Sequence, residues 1–337
     1  MKALRIHGIH DLRLSDEAVP QPKEGEVLLR VTAVGICGSD VHWFSEGGIG
    51  GAFLPKGDSL ILGHEFCAVI ESGPRKGERV TVDPAIPCGK CEFCLEGKQN
   101  VCPNMRFAGT LGVDGSLREY MAWPEEGLFT LPDSISDADG TLLETLGIGV
   151  HAVRLGHVQP GMSVGIFGCG PVGLVTLQTA RAAGASRIFA TDKISSRLEM
   201  AKELGATDIF LADGNEAKQI LKATNNRGVD VSFEAAGMND AVETAIETAK
   251  PGGRTVLIGI PADDRTSFKA STARRKGLTI MIDRRMVNTY PAATTLVTHG
   301  QVDIHSLVTH TYPLTQFQKA FEIAERREGV KVILKVS

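Results

Sequence analysis

No run in this sequence approaches the ~18 apolar residues that a membrane-spanning helix requires. The opening residues MKALRIHGIHDLRL alternate charged with apolar side chains and lack the unbroken apolar core of a secretion signal. Neither membrane insertion nor export is expected, and a cytoplasmic protein is. There is no excess of positive charge either: 36 Lys and Arg stand against 40 Asp and Glu, for a net charge of -4. Such a chain offers no electrostatic footprint to a nucleic-acid backbone. Internal repeats and low-complexity tracts are also missing. Cysteine is present but odd in number, with 7 in all. In a reducing compartment, clustered thiols more often hold a metal than form bridges.

What is present is enough chain for two cores, since 337 residues exceed the size at which a single interior stops growing. Residues 1–130 contain short β-type runs, among them EVLLRVTAVG, FCAVIESG and ERVTV, broken by Gly and Pro every eight to twelve residues. They predict an irregular, mostly β domain with few helices. The glycine-rich loop Phe44–Ser59 reads as either a mobile surface connection or a flap. A helical pattern begins near DADGTLLETLGIGVHAVRLG. After it, apolar strands and amphipathic helices alternate: SVGIF, RIFATD, DIFLAD, VDVSFEAAG, GRTVLIGI and LTIMID, with helical segments between them. That rhythm predicts an α/β doubly wound parallel sheet, because parallel neighbours need crossovers that cover both faces. The cluster ARRKG (Ala273–Gly277) reads as a solvated turn. From about Arg284 the rhythm is lost, and the tail, with helices at TYPAATTLVTHG and QFQKAFEIAERR and a strand at VKVILKV, is expected to rejoin the first domain. The boundaries expected are therefore 1–145 with 285–337 for one domain and 146–284 for an inserted one.

Within SVGIFGCGPVGL, Gly168, Gly170 and Gly173 form GxGxxG directly after a strand and at the start of a helix, with Pro171 and Val172 opening that helix. The first glycine permits the turn, the second lets backbone approach a pyrophosphate and the third lets helix pack on strand. The next strand ends at Asp192, where a carboxylate accepts hydrogen bonds from the adenosine ribose and repels a 2′-phosphate. This favours NAD over NADP, with Lys193 and Arg197 close enough in sequence to soften the repulsion, and with a helix-capping role for Asp192 as the alternative.

Two cysteine-bearing regions have opposite designs. Cys88, Cys91, Cys94 and Cys102, in the loop 87–102, have spacers that let four thiolates converge on one tetrahedral centre. Such a zinc has no open position and serves only to hold the loop; a redox switch and a DNA-binding finger are the alternatives. By contrast, GICGSDVH supplies Cys37 and LGHEF supplies His64 and Glu65. One thiolate, one imidazole and one carboxylate neutralise a zinc ion and leave its fourth position for water or substrate, as catalysis requires.

GICGSDVHWF, LGHEF, the CxxCxxCx7C loop, GCGPVG and the ATD strand end together resemble the zinc-dependent medium-chain alcohol dehydrogenase family, and within it the polyol branch of sorbitol and xylitol dehydrogenases. The resemblance spans nearly the entire chain. It implies a GroES-like, mostly β catalytic domain around an inserted Rossmann domain, with NAD(H) in the cleft, two zinc ions per chain, and a homo-oligomer, more often a tetramer than a dimer. It implies oxidation of a polyol's secondary alcohol to a ketose by hydride transfer, with Ser39 and His42 relaying the proton outward. Glu144 stands where simple alcohol dehydrogenases of the family carry a further cysteine, and either Glu65 or Glu144 is the third zinc ligand. Arg285 matches an arginine directed at substrate hydroxyls, although Met286 replaces the aromatic residue common beside it and a surface charge is the alternative; Trp43 and Tyr120 are either pocket walls or core-packing residues. The same chemistry on a sugar acid, threonine or a simple alcohol, and a non-catalytic nucleotide-binding relative, are the competing readings.

Overall fold

Between Ser163 and Ile282, segments of four to nine residues form six parallel strands in one sheet. Their spatial order is Asp208–Leu211, Arg187–Asp192, Ser163–Phe167, Val229–Glu234, Ala249–Leu257, Thr279–Ile282. Helices cross over between them: Pro171–Ala182, Ser195–Glu203, Glu216–Ala223, Asn239–Thr248 and Ala270–Lys276. Because both faces are covered, Val164, Ile166, Phe189, Val231, Phe233 and Val256 are all buried, and the strands read as near-continuous apolar runs. The direction of winding reverses beside Ser163–Phe167, which is the switch point at which such sheets bind ligands.

The computed structural model describes residues 1–337. It divides the chain into Met1–Glu144 with Ile304–Ser337, and Thr145–Asp303. The second boundary corrects the expected one at 285. Helix Tyr290–Thr298 belongs to the nucleotide unit, and the side chain of Gln178 anchors the unit's last residue, donating to Asp303 O (2.9 Å) and accepting from Asp303 N (2.7 Å). Arg154 Nη1 likewise donates to Val287 O at 3.3 Å. These contacts involve single side chains distant in sequence, and no local pattern announces them. The ARRKG cluster also departs from expectation. Its basic residues are the last turn of helix Ala270–Lys276, closed by Gly277 in the left-handed region at φ 58°. Lys276 Nζ reaches the carbonyls of Glu247 and Ala249 and so caps the neighbouring helix.

In the other unit a seven-stranded sheet runs Leu128–Thr130, Arg79–Val82, Glu65–Ile70, Glu26–Gly35, Lys331–Lys335, Val308–Pro313, with Tyr120–Pro124 also pairing with Glu26–Gly35. The final strand pairs antiparallel with Glu26–Gly35 and parallel with Val308–Pro313. The tail therefore supplies one interior strand, Lys331–Lys335, and the edge strand Val308–Pro313. Val308–Pro313 went unread in the sequence because its run VTHTYP is mostly polar and none of its residues is fully buried. Trp43 is only 2% exposed and belongs to this unit's core cluster with Phe44, Phe66 and Phe321, which favours the core-packing alternative over a pocket wall. It sits on helix Gly38–Glu46, which consumes the start of the expected glycine-rich loop; a hairpin of two-residue strands, Gly48–Ile49 and Ala52–Phe53, follows.

Candidate active site and metal centres

Cys37 caps the N-terminus of helix Gly38–Glu46, and Asp40 in its first turn accepts from the Cys37 N–H through Oδ2 at 3.0 Å. The other oxygen, Oδ1, accepts from Gly63 N at 3.1 Å and lies 3.6 Å from His64 Nδ1. One buried carboxylate therefore ties together the two segments GICGSD and LGHEF. Burial works against the Asp40 charge, but His64 and the two backbone N–H groups prevail and hold its carboxyl below the usual range. With Nδ1 turned to Asp40, Nε2 of His64 is free to face a metal, an orientation that a carboxylate partner commonly fixes. Ser39 Oγ lies 3.5 Å from that Nε2. The Cys37 sulfur, a His64 ring nitrogen and a Glu65 oxygen all lie within 4.8 Å of one another, so three donors of suitable chemistry surround one point.

Glu65 begins the strand Glu65–Ile70 and pairs in register with Gly35. A Cβ at Gly35 would approach Glu65 Oε2 to 2.6 Å, so only glycine leaves the carboxylate room. That same Oε2 accepts from Lys331 Nζ at 2.6 Å, with both side chains buried. Burial lowers the Lys331 ammonium, but Glu65 and Cys37 outweigh it and raise it, keeping the lysine charged. Glu144 is buried in the first turn of helix Leu142–Gly156. Burial pushes its carboxyl up to about 7, opposed by His64 and Lys331 and reinforced by Glu65. Of the two candidate third ligands, Glu65 belongs to the clustered donors, while Glu144 stands within electrostatic range of them.

Asp40 and Lys331 were missed in the sequence. The signal for Asp40 was its place three residues after a helix-capping Cys37. For Lys331 it was a lone charge opening an apolar run, VIL, whose residues are all buried. His42 is partly exposed and its Nδ1 lies 3.1 Å from Glu46 Oε1. Tyr120 is half-buried on its strand, opposite Arg30. Arg285, in the nucleotide unit, adopts a left-handed backbone at φ 58°.

The four remaining clustered thiols converge: Cys88, Cys91, Cys94 and Cys102 have their sulfurs within 4.8 Å of one another, with Cys91 Sγ 3.4 Å from Cys94 Sγ and 3.8 Å from Cys102 Sγ. Sulfurs placed tetrahedrally at 2.3 Å from a zinc ion stand about 3.8 Å apart, so the spacing fits. The N–H groups of Lys90 and Cys91 pull the Cys88 thiol down to about 6, favouring the thiolate that a metal needs.

In the nucleotide unit, Gly168 turns at φ 103°. A Cβ at Gly173 would strike Gly168 O, whereas one at Gly170 would meet nothing nearer than Arg197 Nη1 at 3.8 Å. Close packing is thus required at Gly173, and open space remains over Gly170, as a pyrophosphate cradle needs. Pro171 and Val172 open the helix Pro171–Ala182 that points its N-terminus there. Asp192 accepts from Cys169 N at 2.7 Å and from Ile194 N at 2.8 Å, one per oxygen. It braces the glycine turn and keeps lone pairs for ribose hydroxyls.

Comparison with known proteins follows this geometry. Residues 23–133 match the alcohol dehydrogenase GroES-like domain family and residues 171–299 the zinc-binding dehydrogenase family. A sorbitol dehydrogenase of Bacillus subtilis is 37% identical over 99% of this chain and 97% of its own. Among solved structures, an Escherichia coli oxidoreductase/dehydrogenase of unknown specificity superposes with a TM-score of 0.93 at 34% identity, covering 100% of this chain and 99% of its own. An E. coli alcohol dehydrogenase solved with NADH gives 0.91 at 28%, with 100% and 99% covered. The chain belongs to the zinc-dependent medium-chain alcohol dehydrogenase family, and is an oxidoreductase that uses zinc and NAD.

Proposed function

We propose that this protein oxidises a secondary hydroxyl of a polyol of the sorbitol or xylitol kind to a ketose, with NAD as hydride acceptor. The observation that carries the reading is the convergence of Cys37, His64 and Glu65 donors within 4.8 Å, on a chain 37% identical to a sorbitol dehydrogenase. A second zinc ion held by Cys88, Cys91, Cys94 and Cys102 is structural, because four thiolates leave no open position. At the catalytic centre, zinc supplies Lewis acidity that makes a hydroxyl easier to deprotonate, and NAD accepts the hydride.

The chain's own residues do the rest. Asp40 fixes the His64 ring, and Lys331 offsets the charge of Glu65. Glu144, poised at about 7, holds or releases a proton near neutrality and orients the substrate hydroxyl. Ser39 lies beside His64, and His42 follows one turn later on the same helix with more exposure. They form the route by which the proton leaves. Gly168, Gly170, Pro171, Val172, Gly173, Asp192 and Arg197 hold the dinucleotide, and Arg285 and Tyr120 contact substrate. A sugar acid is the second reading, favoured by the adjacent cations Arg284 and Arg285, which suit a carboxylate. The seven free cysteines suit work in the cytoplasm. The outer edge of strand Thr279–Ile282, where Ile282 is 78% exposed, suits assembly of copies into a tetramer or dimer.

A turnover screen with NAD against sorbitol, xylitol, ribitol, an aldonate, threonine and ethanol tests the substrate. A polyol is expected to lead; ethanol or threonine clearly ahead of every polyol overturns the reading. Metal analysis is expected to give about two zinc ions per chain, of which the chelator-labile one is needed for turnover.

A further inference from the structure

Asp283 follows strand Thr279–Ile282 at the carboxyl edge of the parallel sheet, where its N–H donates to Leu257 O at 2.8 Å. Its side chain is 1% exposed, and neither carboxyl oxygen makes a hydrogen bond. His151 Nε2 lies 3.8 Å from Oδ1, beyond hydrogen-bond reach. Burial alone pushes the carboxyl up to about 8, and burial, with Arg154 helping, pushes the His151 imidazole down. At neutral pH the pair is an uncharged acid beside an uncharged ring. The acid presents one O–H donor and one carbonyl acceptor with nothing to meet them.

The surroundings hold this group in place. Gly147 and His151 lie four residues apart on one face of helix Leu142–Gly156. Residues 286–289 press against that face so closely that a Cβ at Gly147 would meet Met286 Sδ and Thr289 Oγ1. Arg154 Nη1 then clamps the carbonyls of Val287 and Asn288. Thr289 Oγ1 is also buried without a partner. A rigid segment carrying unmet polar atoms is the mark of a ligand contact or a trapped water.

The sheet indicates which part of a ligand lies there. Asp192 places the adenosine ribose at the end of Arg187–Asp192, and the glycine turn places the pyrophosphate over the end of Ser163–Phe167. The other half of a dinucleotide must then run in the opposite direction, over the ends of Val229–Glu234, Ala249–Leu257 and Thr279–Ile282. From Val229–Glu234 to Thr279–Ile282 is two strand spacings, about 10 Å, a distance that a ribose and a pyridine ring cover. The pyridine ring carries a primary carboxamide, the group whose carbonyl and N–H₂ match an acid's O–H and carbonyl two for two.

Resting on the use of NAD, we propose that the Asp283 carboxyl group recognises the nicotinamide carboxamide, donating its O–H to the amide oxygen and accepting an amide N–H. Its charged or titratable neighbours are His151 and Arg154 on the packed helix, and Arg284 and Arg285 next in the chain. Burial holds the His151 imidazole below its ordinary range and pushes the Asp283 carboxyl up to about 8, so Asp283 is the member of the pair that titrates between about pH 7 and 9.

The test is binding to the zinc-loaded protein, to Asp283→Asn and to Asp283→Leu. Three probes are titrated: NADH, reduced 3-acetylpyridine adenine dinucleotide, in which a methyl group replaces the amide nitrogen, and ADP-ribose, which lacks the pyridine ring. The unsubstituted protein should prefer NADH to the acetylpyridine analogue about tenfold, the scale of one lost buried hydrogen bond. Asp283→Asn should keep most of that preference and Asp283→Leu should abolish it, with ADP-ribose binding equal in all three. Raising the pH from 7 to 9 should weaken NADH binding in the unsubstituted protein and not in Asp283→Asn. An unchanged preference in Asp283→Leu, or parallel losses for NADH and ADP-ribose, overturns the proposal in favour of a packing role or a bound water. Failure of the unsubstituted chain to bind ADP-ribose overturns the NAD reading itself, and this proposal with it.

Discussion

Lys331 and Glu65 meet at 2.6 Å with side chains 2% and 1% exposed, next to the Cys37 and His64 donors. Removing one member of a buried pair strands the other, at a cost of about 3–5 kcal/mol. Lys331→Met should therefore lose stability of that order in the metal-free chain, measured by urea unfolding, and part of the loss should return with zinc, which neutralises Glu65 in its turn. Glu144 sets a pH dependence of opposite sign from the usual carboxylate. Its folded value of about 7 lies above its ordinary one, so the folded state binds the proton more tightly, and stability falls as pH rises from about 5 towards 7. In metal-free protein, Glu144→Gln should flatten that slope between pH 5 and 8; an unchanged slope would assign it to another group. Cys37, His64 and Glu65 were legible as sequence because each sits in a short glycine-flanked motif. Lys331 was not, because the partner that explains it is 266 residues away, and Trp43 was undecided because an aromatic beside a catalytic motif serves equally well as core.

Strands and helices of the nucleotide unit were readable because burial on both sheet faces leaves apolar runs that polar turns delimit. Where an element depends on a single contact, the reading failed. The helical stretch after Ser136 breaks at Thr141, whose Oγ1 donates back to Ala138 O at 2.8 Å, so two helices form where one was expected. The glycine turn offers a sharp test at this scale. Gly173→Ala forces a methyl group into Gly168 O, so NADH binding should fall by at least tenfold and the melting temperature should drop by several degrees, as roughly follows from overpacking of 1–3 kcal/mol. Both are read from one fluorescence titration and one thermal scan. The cysteine loop has little else to hold it: one helix of four residues, Glu92–Leu95, one short turn, Gln99–Val101, and exposed Leu95 and Val101. Cys91→Ser should release one zinc ion and raise hydrogen exchange across residues 87–106, while exchange in strands Ser163–Phe167 and Val229–Glu234 stays slow.

The molecule is a chain that leaves one unit, builds another from Thr145–Asp303, and returns. The helical pattern beginning near DADGTLLETLGIGVHAVRLG showed the departure, but the return was set too early, at 285, because helix Tyr290–Thr298 lies outside the strand alternation while belonging to the nucleotide unit. A fragment 145–303 keeps the six-stranded sheet together with the Gln178 bonds to Asp303. It should unfold cooperatively in urea and bind ADP-ribose. A fragment ending at 284 should do neither as well, and equal behaviour of the two would restore the earlier boundary.

The interleaving also has a temporal side. At roughly 5–20 residues added per second, a growing polypeptide exposes Glu65 to the cell many seconds before Lys331 leaves the ribosome, and the whole nucleotide unit emerges in the interval. The dinucleotide receptor is thus ready ahead of the counter-ion that tames the carboxylate.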